Sequence, residues 1–400
     1  VANLKIVHII TRLILGGAQE NTLVTCKLLA ERGHDVTLIT GPAIGPEGAL
    51  FEQTINANFK TIVVDELRRE INPIVDIPAY FKLKKFLNEL QPDIVHTHSA
   101  KAGILGRYAG WSLKLKGSDT FNSNLPLVVH TIHGLAFHQY QNPLLSKFYI
   151  AVEKVTGQKT DAFITVADTM TEKAKAAGIG VDKPYSTAYS AIEEEAYLTA
   201  PPQSEIDAFR KKYDLPQDAT VFVKVARLFE LKGHEYVIES ARRIAEKHDN
   251  CYWLFVGDGI LAEPLKNQIK FAGLEDRFKF TGLVPPQQIP LCIHASDVLV
   301  HCSLREGLAR VLPQAMLCGK PVVSFDIDGA KEVVNENTGL LIEPENIDQL
   351  TDACEKLLEN PDLRTQLGQN GKTAVTEQFA PATMVDTIES VYKNLIDSQP

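Results

Sequence analysis

Short runs rich in Val and Ile alternate with longer stretches of helical period along this 400-residue chain. In the first half the apolar runs are Lys5–Ile10, Asp35–Thr40, Lys60–Asp65, Asp93–His98, Leu127–His133 and Ala162–Val166. Near-continuous apolarity over so few residues is the pattern of parallel strands buried on both faces. After Pro201 and Pro202 the alternation restarts, with Val221–Ala226, Tyr252–Val256, Phe278–Gly282, Val298–Cys302, Pro321–Phe325 and Gly339–Ile342. The pattern predicts an α/β protein with two Rossmann-like, doubly wound parallel-sheet domains. Acidic and Pro-rich sequence at 192–205 separates them, so the N-terminal domain is expected over 1–195 and the C-terminal one over 196–379. The closing stretch Ala382–Ile396 reads as one more amphipathic helix.

Open α/β sheets bind ligands beyond the carboxyl ends of their strands, so chemistry is sought in the segments that follow the strands. Gly16 and Gly17 follow the first run, where a helix N-terminus can present amides to a phosphate. A plain tight turn explains them equally well, and the full dinucleotide-binding glycine fingerprint is absent. Arg227 ends a predicted strand and Lys232 precedes the next helix, a spacing that lets two cations grip one diphosphate; a solvated surface pair is the alternative. After the strand ending near Cys302, Glu306 and Gly307 are expected to open a helix. Gln314 would then lie two turns on and roughly 80° around it. His96 and His98 alternate along a strand and share one face, which by spacing alone resembles a metal pair. No third ligand is evident in sequence, and either a structural or an acceptor-binding role suits His96. Asp326 and Asp328 form an Asp-x-Asp, read here as polar loop residues rather than a metal site.

Composition narrows the class. The length exceeds what one core usually organises. With 44% hydrophobic and 23% charged residues the chain is globular in character. No apolar run reaches the roughly 20 residues that span a bilayer. The opening VANLKIVHII has no basic leader or cleavage site and is read as a strand. Six scattered cysteines form no zinc pattern and fit a reducing cytoplasm. Residues 1–200 carry 20 basic and 20 acidic side chains, against 21 and 30 in residues 201–400, so the net charge of −9 sits in the second half. Without a basic stripe, nucleic acid is not an expected partner. The stretches PAYFKLKKFLNEL and GRYAGWSLKLKG interleave Lys with aromatic and aliphatic residues, a pattern of peripheral docking at the inner face of the plasma membrane and equally of ordinary packed helices.

In order and spacing, the GG turn, VHTHSAKAGILGR, HTIHG, VARLFELKG, VGDG, FTGLV, SLREGLARVLPQAMLCGKPVV and TGLLIEP resemble the family-4 retaining glycosyltransferases with the GT-B fold, over essentially the whole chain. The resemblance implies two domains facing one cleft and a terminal helix, about 380–400, packing back on the first domain. It implies that Gly16 and Gly17 contact a donor diphosphate that Arg227 and Lys232 neutralise. Glu306, beside Gly307 and Leu308, would hydrogen-bond the donor sugar, main chain near Val284 would hold the base, and His133 would lie beside the reacting sugar. Acceptor contacts are expected from His96, Ser99 and Lys101. The implied reaction moves a hexose-type sugar from a nucleotide sugar, taken as a UDP-sugar, to a glycan or lipid-linked glycan, with no cofactor and no metal. Two positions depart from the pattern. Gln314 stands where the family commonly has a second Glu that binds ribose, and Ala191 stands in YSAIEEE where many relatives have an Asn-Gly turn. A sugar-nucleotide epimerase of related fold and a non-catalytic two-domain sugar-binding protein are the competing readings.

Overall fold

The computed structural model describes residues 3–42, 50–117 and 126–398, with backbone only at 115–117. The chain divides into two compact units, Val1–Ala191 with Pro381–Pro400, and Ile192–Ala380.

The first unit is built on a seven-stranded parallel sheet. Its strands are β1 (Lys5–Arg12), β2 (Asp35–Gly41), β3 (Lys60–Val63), β4 (Ile94–His98), β5 (Leu127–Ile132), β6 (Ala162–Thr165) and β7 (Tyr185–Thr187), in the order β3-β2-β1-β4-β5-β6-β7. Strand β7 has no counterpart in the sequence expectation. It is three residues long, half-buried along its length, and polar at two of three positions, so no apolar run announces it. Alternation along β1 sends Ile6 and Ile10 to one face and Val7 and Ile9 to the other. The first face is covered by the helix Gly17–Glu31, through Leu23, Cys26 and Leu29, and by the terminal helix Pro381–Asp397, through Met384, Val385, Ile388, Val391 and Tyr392. The second is covered by the helix Pro73–Leu90, through Leu83 and Leu87, and by the helix Ala100–Gly117, through Ala102, Ala109 and Leu113.

The second unit carries six parallel strands, β8 (Thr220–Val225), β9 (Cys251–Val256), β10 (Phe278–Gly282), β11 (Val298–His301), β12 (Val322–Phe325) and β13 (Gly339–Ile342), ordered β10-β9-β8-β11-β12-β13. At its core Trp253, 1% exposed, lies near-parallel between Phe222 and Phe278, with ring centroids 5.8 and 5.4 Å away. All six cysteines are buried free thiols.

In both sheets the first strand of the unit is third from one edge, and the winding reverses beside it, between β1 and β4 and between β8 and β11. Those are the switch points at which open α/β sheets form crevices. The segments after β1, β4, β8 and β11 contain most of the residues singled out from sequence.

Candidate functional site

In the second unit three loops at the carboxyl edge of the sheet are stitched together. Gly257, after β9, has φ 139°, and a Cβ there would stand 2.2 Å from the Ala226 carbonyl oxygen. Gly233, after β8, has φ 66°, and a Cβ would stand 1.9 Å from the Cys302 carbonyl oxygen. Only glycine fits both the backbone conformation and the approach. The Leu228 amide donates to Asp258 O at 2.9 Å, and the Leu304 amide to Leu231 O at 2.8 Å. The β8 loop is thereby clamped between its neighbours, and Lys232 is delivered to Glu306.

Lys232 Nζ and the Glu306 carboxylate form a direct ion pair, with both side chains about one-fifth to one-quarter exposed (20% and 24%). His301, at the end of β11, places Nε2 3.9 Å from the same carboxylate. Burial opposes ionisation of Glu306, but Lys232 and then His301 outweigh it and hold the carboxyl far below its ordinary range. An ionised carboxylate in a partly desolvated pocket is an acceptor-only group, suited to hydroxyl donors. Lys232 retains further N–H donors beyond the one given to Glu306. Arg227 is exposed, with its guanidinium carbon 5.0 Å from the Phe229 ring centre. Val284 lies in the loop after β10, on the same edge of the sheet.

The expected helix at Glu306 is corrected by the structure. Residues Glu306–Ala309 are irregular, and the helix runs from Val311 to Leu317. Pro313 supplies the reason: a helix begun at 306 would bury its missing N–H in the interior and drive its ring into the Ala309 carbonyl. Begun at 311, Pro313 falls in the first turn, where no N–H partner exists. Glu306 is held by a different device. Its amide donates to Asp328 Oδ2 at 2.8 Å, and the Gly329 amide donates to Gly307 O at 3.0 Å. Asp328, at φ 46°, thus braces the Glu306 loop, a role that the Asp-x-Asp spacing did not suggest. Gly307 and Leu308 are buried behind Glu306, and Gln314 is half-buried in the following helix.

In the first unit Gly16 precedes the 15-residue helix begun by Gly17, and its carbonyl accepts from the Gln19 and Glu20 amides at 3.1 and 3.0 Å. Ser99, immediately after β4, takes the left-handed conformation (φ 61°), and its Oγ lies 2.9 Å from Thr11 Oγ1. Such strain in a non-glycine residue at a strand end marks a built position. A cavity of about 230 Å³ opens there, lined by Ser99, His133, Gly134, Leu135, Phe137 and Glu153 among others. His133 stands one residue past β5 and is half-buried. Lys101 is turned from the cavity lining to Asp76 Oδ1, 2.6 Å from Nζ, and to the Glu70 carbonyl.

His96 is fully buried, with Nδ1 2.5 Å from Tyr392 Oη and Nε2 2.6 Å from Thr131 Oγ1. Both ring nitrogens are engaged inside the protein, and neither is left for an acceptor. A third histidine, invisible in the local spacing, does join His96 and His98: the parallel register sets His8 of β1 opposite His96. Among the described residues His8, His96 and His98 form one group of potential metal ligands, with ligand atoms within 4.8 Å. In this structure the nitrogens are paired with one another and with their neighbours. His8 Nδ1 faces His98 Nε2 at 2.9 Å, and His98 Nδ1 faces His133 Nε2 at 3.0 Å.

Comparison with known proteins agrees with this architecture. The family model described as Glycosyltransferase Family 4 matches residues 15–189, and that described as Glycosyl transferases group 1 matches residues 205–374. The UDP-Gal:alpha-D-GlcNAc-diphosphoundecaprenol alpha-1,3-galactosyltransferase of Escherichia coli is 29% identical over 99% of this chain and 98% of its own length. The N-acetyl-alpha-D-glucosaminyl L-malate synthase of Bacillus anthracis is 23% identical over 92% of each. The crystal structure of Anabaena Alr3699/HepE in complex with UDP-glucose superposes with a TM-score of 0.80 at 21% identity, covering 98% of this chain and all of that one. The fold is therefore GT-B. The chain belongs to the family-4 glycosyltransferases. Neither the epimerase nor the sugar-binding reading is favoured by these matches.

Proposed function

We propose that this glycosyltransferase moves a hexose-type sugar from a UDP-sugar to a glycan or lipid-linked glycan, with retention of anomeric configuration and without a metal ion. The observation that carries the proposal is the Lys232–Glu306 pair at the β8–β11 switch point, a cation and an ionised acceptor fixed side by side. It is the constellation needed to hold a phosphate oxygen and a sugar hydroxyl of one donor. The E. coli relative's name, with UDP-Gal as donor and a diphosphoundecaprenol-linked sugar as acceptor, supports the donor and acceptor classes.

In this mechanism the bond between the anomeric carbon and the diphosphate oxygen breaks first, and its electron pair goes to that oxygen. Lys232 and Arg227 stabilise the charge that develops there, so no divalent ion has an electrostatic task left to perform. Gly16 and Gly17 would offer amides to the same diphosphate, main chain near Val284 would hold the base, and Gln314 would accept from ribose. Glu306 accepts hydrogen bonds from the sugar. The acceptor oxygen bonds to the anomeric carbon on the face the phosphate leaves, and its proton passes to the departing phosphate oxygen. His133 orients the sugar and forms no covalent bond.

Peripheral membrane association belongs to the same proposal. Ile74, Ile77 and Phe81, spaced i, i+3 and i+7 on the helix Pro73–Leu90, are 82, 58 and 61% exposed, with Lys85 outward beside them. In the second basic stretch Lys114 is paired with Asp161, and Trp111 lies 3.6 Å beneath the Lys159 ammonium, while the side chains of 115–117 lie outside the described residues. Among the described residues no helix is long and apolar enough to cross a membrane.

The test is a thermal-shift screen of UDP-, GDP- and ADP-sugars, followed by transfer assays in EDTA with diphosphoundecaprenol-linked acceptors and NMR of the first-formed product. A UDP-sugar is expected to raise the melting temperature, and Lys232→Ala to lower transfer by about a hundredfold or more. Unchanged turnover in folded Lys232→Ala, or an inverted product, would overturn the mechanism. Failure to sediment with anionic vesicles would remove the membrane component alone.

A further inference from the structure

A buried ion pair stands behind the cavity at the ends of β4 and β5. Arg107, on the helix Ala100–Gly117, is completely buried, and its Nη2 donates at 2.7 Å to Oε2 of Glu153, on the helix Pro143–Gly157. Its Nε donates to the Gly103 carbonyl one turn back, at 2.9 Å. Gly103 lets that helix lie close on β5, since a Cβ there would stand 2.6 Å from His130 Cε1. The Glu153 side chain is 12% exposed and lines the cavity.

The pair is poorly made for stability alone. Burying a guanidinium and a carboxylate is repaid only where both are fully hydrogen-bonded, and an apolar pair of the same size is often as stable. A closed Arg–carboxylate pair sets two parallel N–H···O bonds. Here one bond forms. Arg107 Nη1 is buried without a hydrogen-bond partner, and among the described residues Glu153 accepts only from Nη2. Glu153 Oε1, unbonded and not enclosed, is left for a group in the cavity.

The rest of the lining sets the chemistry of that group. Ser99 Oγ is engaged by Thr11 Oγ1 at 2.9 Å, and Thr131 Oγ1 by His96 Nε2 at 2.6 Å. Burial, followed by Arg107, holds His130 well below its ordinary pKa, so it adds no charge. Of the described Asp, Glu, Lys and Arg side chains, Glu153 alone lines the cavity, and Ile132, Leu135, Phe137 and Ile179 give it apolar walls. An anion would meet a carboxylate and no cation. An ammonium would gain little, because Arg107 behind the carboxylate already offsets its charge. A hydroxyl needs only the open acceptor. Apolar walls with one placed acceptor suit the C–H faces and hydroxyls of a sugar, and about 230 Å³, below the roughly 300–1,000 Å³ of drug-sized sites, suits a single ring.

We propose that Glu153, held by Arg107, is a specificity-determining residue: it seats a neutral sugar ring of the acceptor in this cavity by accepting a hydroxyl hydrogen bond at Oε1, and it rejects rings that carry an anion. The inference rests on the proposed transfer to a glycan for its meaning, while the ion pair and the cavity stand without it. Rejection comes from the same atom as recognition, since an anionic ring brings a second negative charge and no donor to Oε1.

The test is ligand-observed NMR titration of the full chain, at saturating UDP, with the methyl α-glycosides of glucose, galactose and N-acetylglucosamine and with methyl α-glucuronide and α-galacturonide. Methyl α-glucoside or α-galactoside is expected to bind at least about tenfold tighter than the matching uronide. Glu153→Gln keeps the size of the side chain, adds a donor and leaves the Arg107 charge unpaired. It should weaken the neutral glycoside about tenfold and narrow or reverse the preference over the uronide. A merely structural Glu153 would move the melting temperature and leave that preference where it was. An unchanged preference in folded Glu153→Gln, a uronide bound as tightly as its glycoside by the wild type, or no neutral glycoside bound overturns the proposal. If Glu153→Gln does not fold, the wild-type ratio of glycoside to uronide decides. Displacement of the glycoside by UDP-glucose but not by UDP would give the cavity to the donor sugar and overturn the acceptor placement. A protein that transfers sugar yet binds no neutral glycoside loses this inference and keeps the proposed reaction. One that binds a glycoside through Glu153 but transfers to no glycan keeps the site and refutes the proposed reaction.

Discussion

Removing residues 381–400 should unfold the first unit, and the structure gives the size of the effect. The terminal helix buries Met384, Val385, Ile388, Val391 and Tyr392, none more than 7% exposed, in the same core as Ile6, Ile10, Leu23 and Leu29. Full burial of such side chains contributes about 1.5–3 kcal/mol each. Five together give on the order of 8–15 kcal/mol, an upper estimate because unfolded chains are partly compact. The net stability of a domain is about 5–15 kcal/mol, so the loss is of the same size as the whole. Polar ties go as well: Tyr392 Oη leaves His96, Glu389 Oε1 leaves His34 Nε2 (2.8 Å), and Arg32 loses Glu389 and Asp386. The chain has two tryptophans, Trp111 in the first unit and Trp253 in the second. Urea unfolding of the truncated protein, followed in Trp253→Phe and Trp111→Phe backgrounds, therefore reads the units separately. The Trp111 transition should vanish or move to far lower denaturant, while the Trp253 transition keeps its midpoint. A truncated protein whose Trp111 midpoint equals that of the full chain would refute the assignment. Ile388→Ala is a milder check, expected to cost about 2–5 kcal/mol on the Trp111 signal alone.

Lys224 is 2% exposed in β8, with no hydrogen-bond partner at Nζ, and burial lowers its pKa. Lys224→Met should raise the melting temperature of the second unit by a few degrees, reflecting about 1–3 kcal/mol, and calorimetry should show the gain shrinking as pH rises toward the unfolded lysine pKa. Partial burial opposes ionisation of Glu389, but His34 and Arg32 outweigh it and keep its pKa below the ordinary value. Its contribution to stability is complete above pH 4.5 and lost as pH falls through the depressed value, so Glu389→Gln should flatten the acid limb of the Trp111 transition. Gln314→Glu should keep most transfer activity, since either side chain can accept from hydroxyls at the proposed ribose position, and a folded but inactive variant would remove Gln314 from the donor site. Asp328→Ala should lower kcat about tenfold or more by freeing the Glu306 amide, with thermal stability altered by no more than about 1–2 kcal/mol; a kcat equal to wild type would show that the brace is dispensable.

The buried parallel strands were legible because both of their faces are apolar, as in Val221–Phe222–Val223 and Leu299–Val300, and because the runs are short and rich in β-branched residues. Strand β7 was not, because an edge strand needs no apolar run. The Glu306 loop was misread although Pro313 carried the signal: a proline seven residues into a proposed helix argues against that start. His8 could not be found by local spacing at all. It lies 88 residues from His96, and only the parallel register of β1 and β4 makes them neighbours. The same holds for Asp328, 22 residues from the amide it accepts.

Local rules and function part company most clearly beneath the Lys232–Glu306 pair. Lys224 Nζ, both nitrogens of His234 and Ser303 Oγ are buried there without hydrogen-bond partners, on β8, the helix after it and the loop after β11. A sequence selected for stability alone would replace them with apolar side chains. Burial first, and then Lys224 and Lys232, depress His234, while burial lowers Lys224 against a small opposing pull from Glu306, so these groups share one field. Removing one member therefore changes the charge felt by Glu306 as well as the packing. A lysine left unpaired in a strand interior is costly, and on the proposed donor site the cost would fall when a diphosphate brought negative charge to Lys232, eight residues on. Donor binding should on this argument stabilise the wild type more than Lys224→Met. Equal melting-temperature gains for the two proteins at saturating UDP would show that Lys224 does not sense the donor.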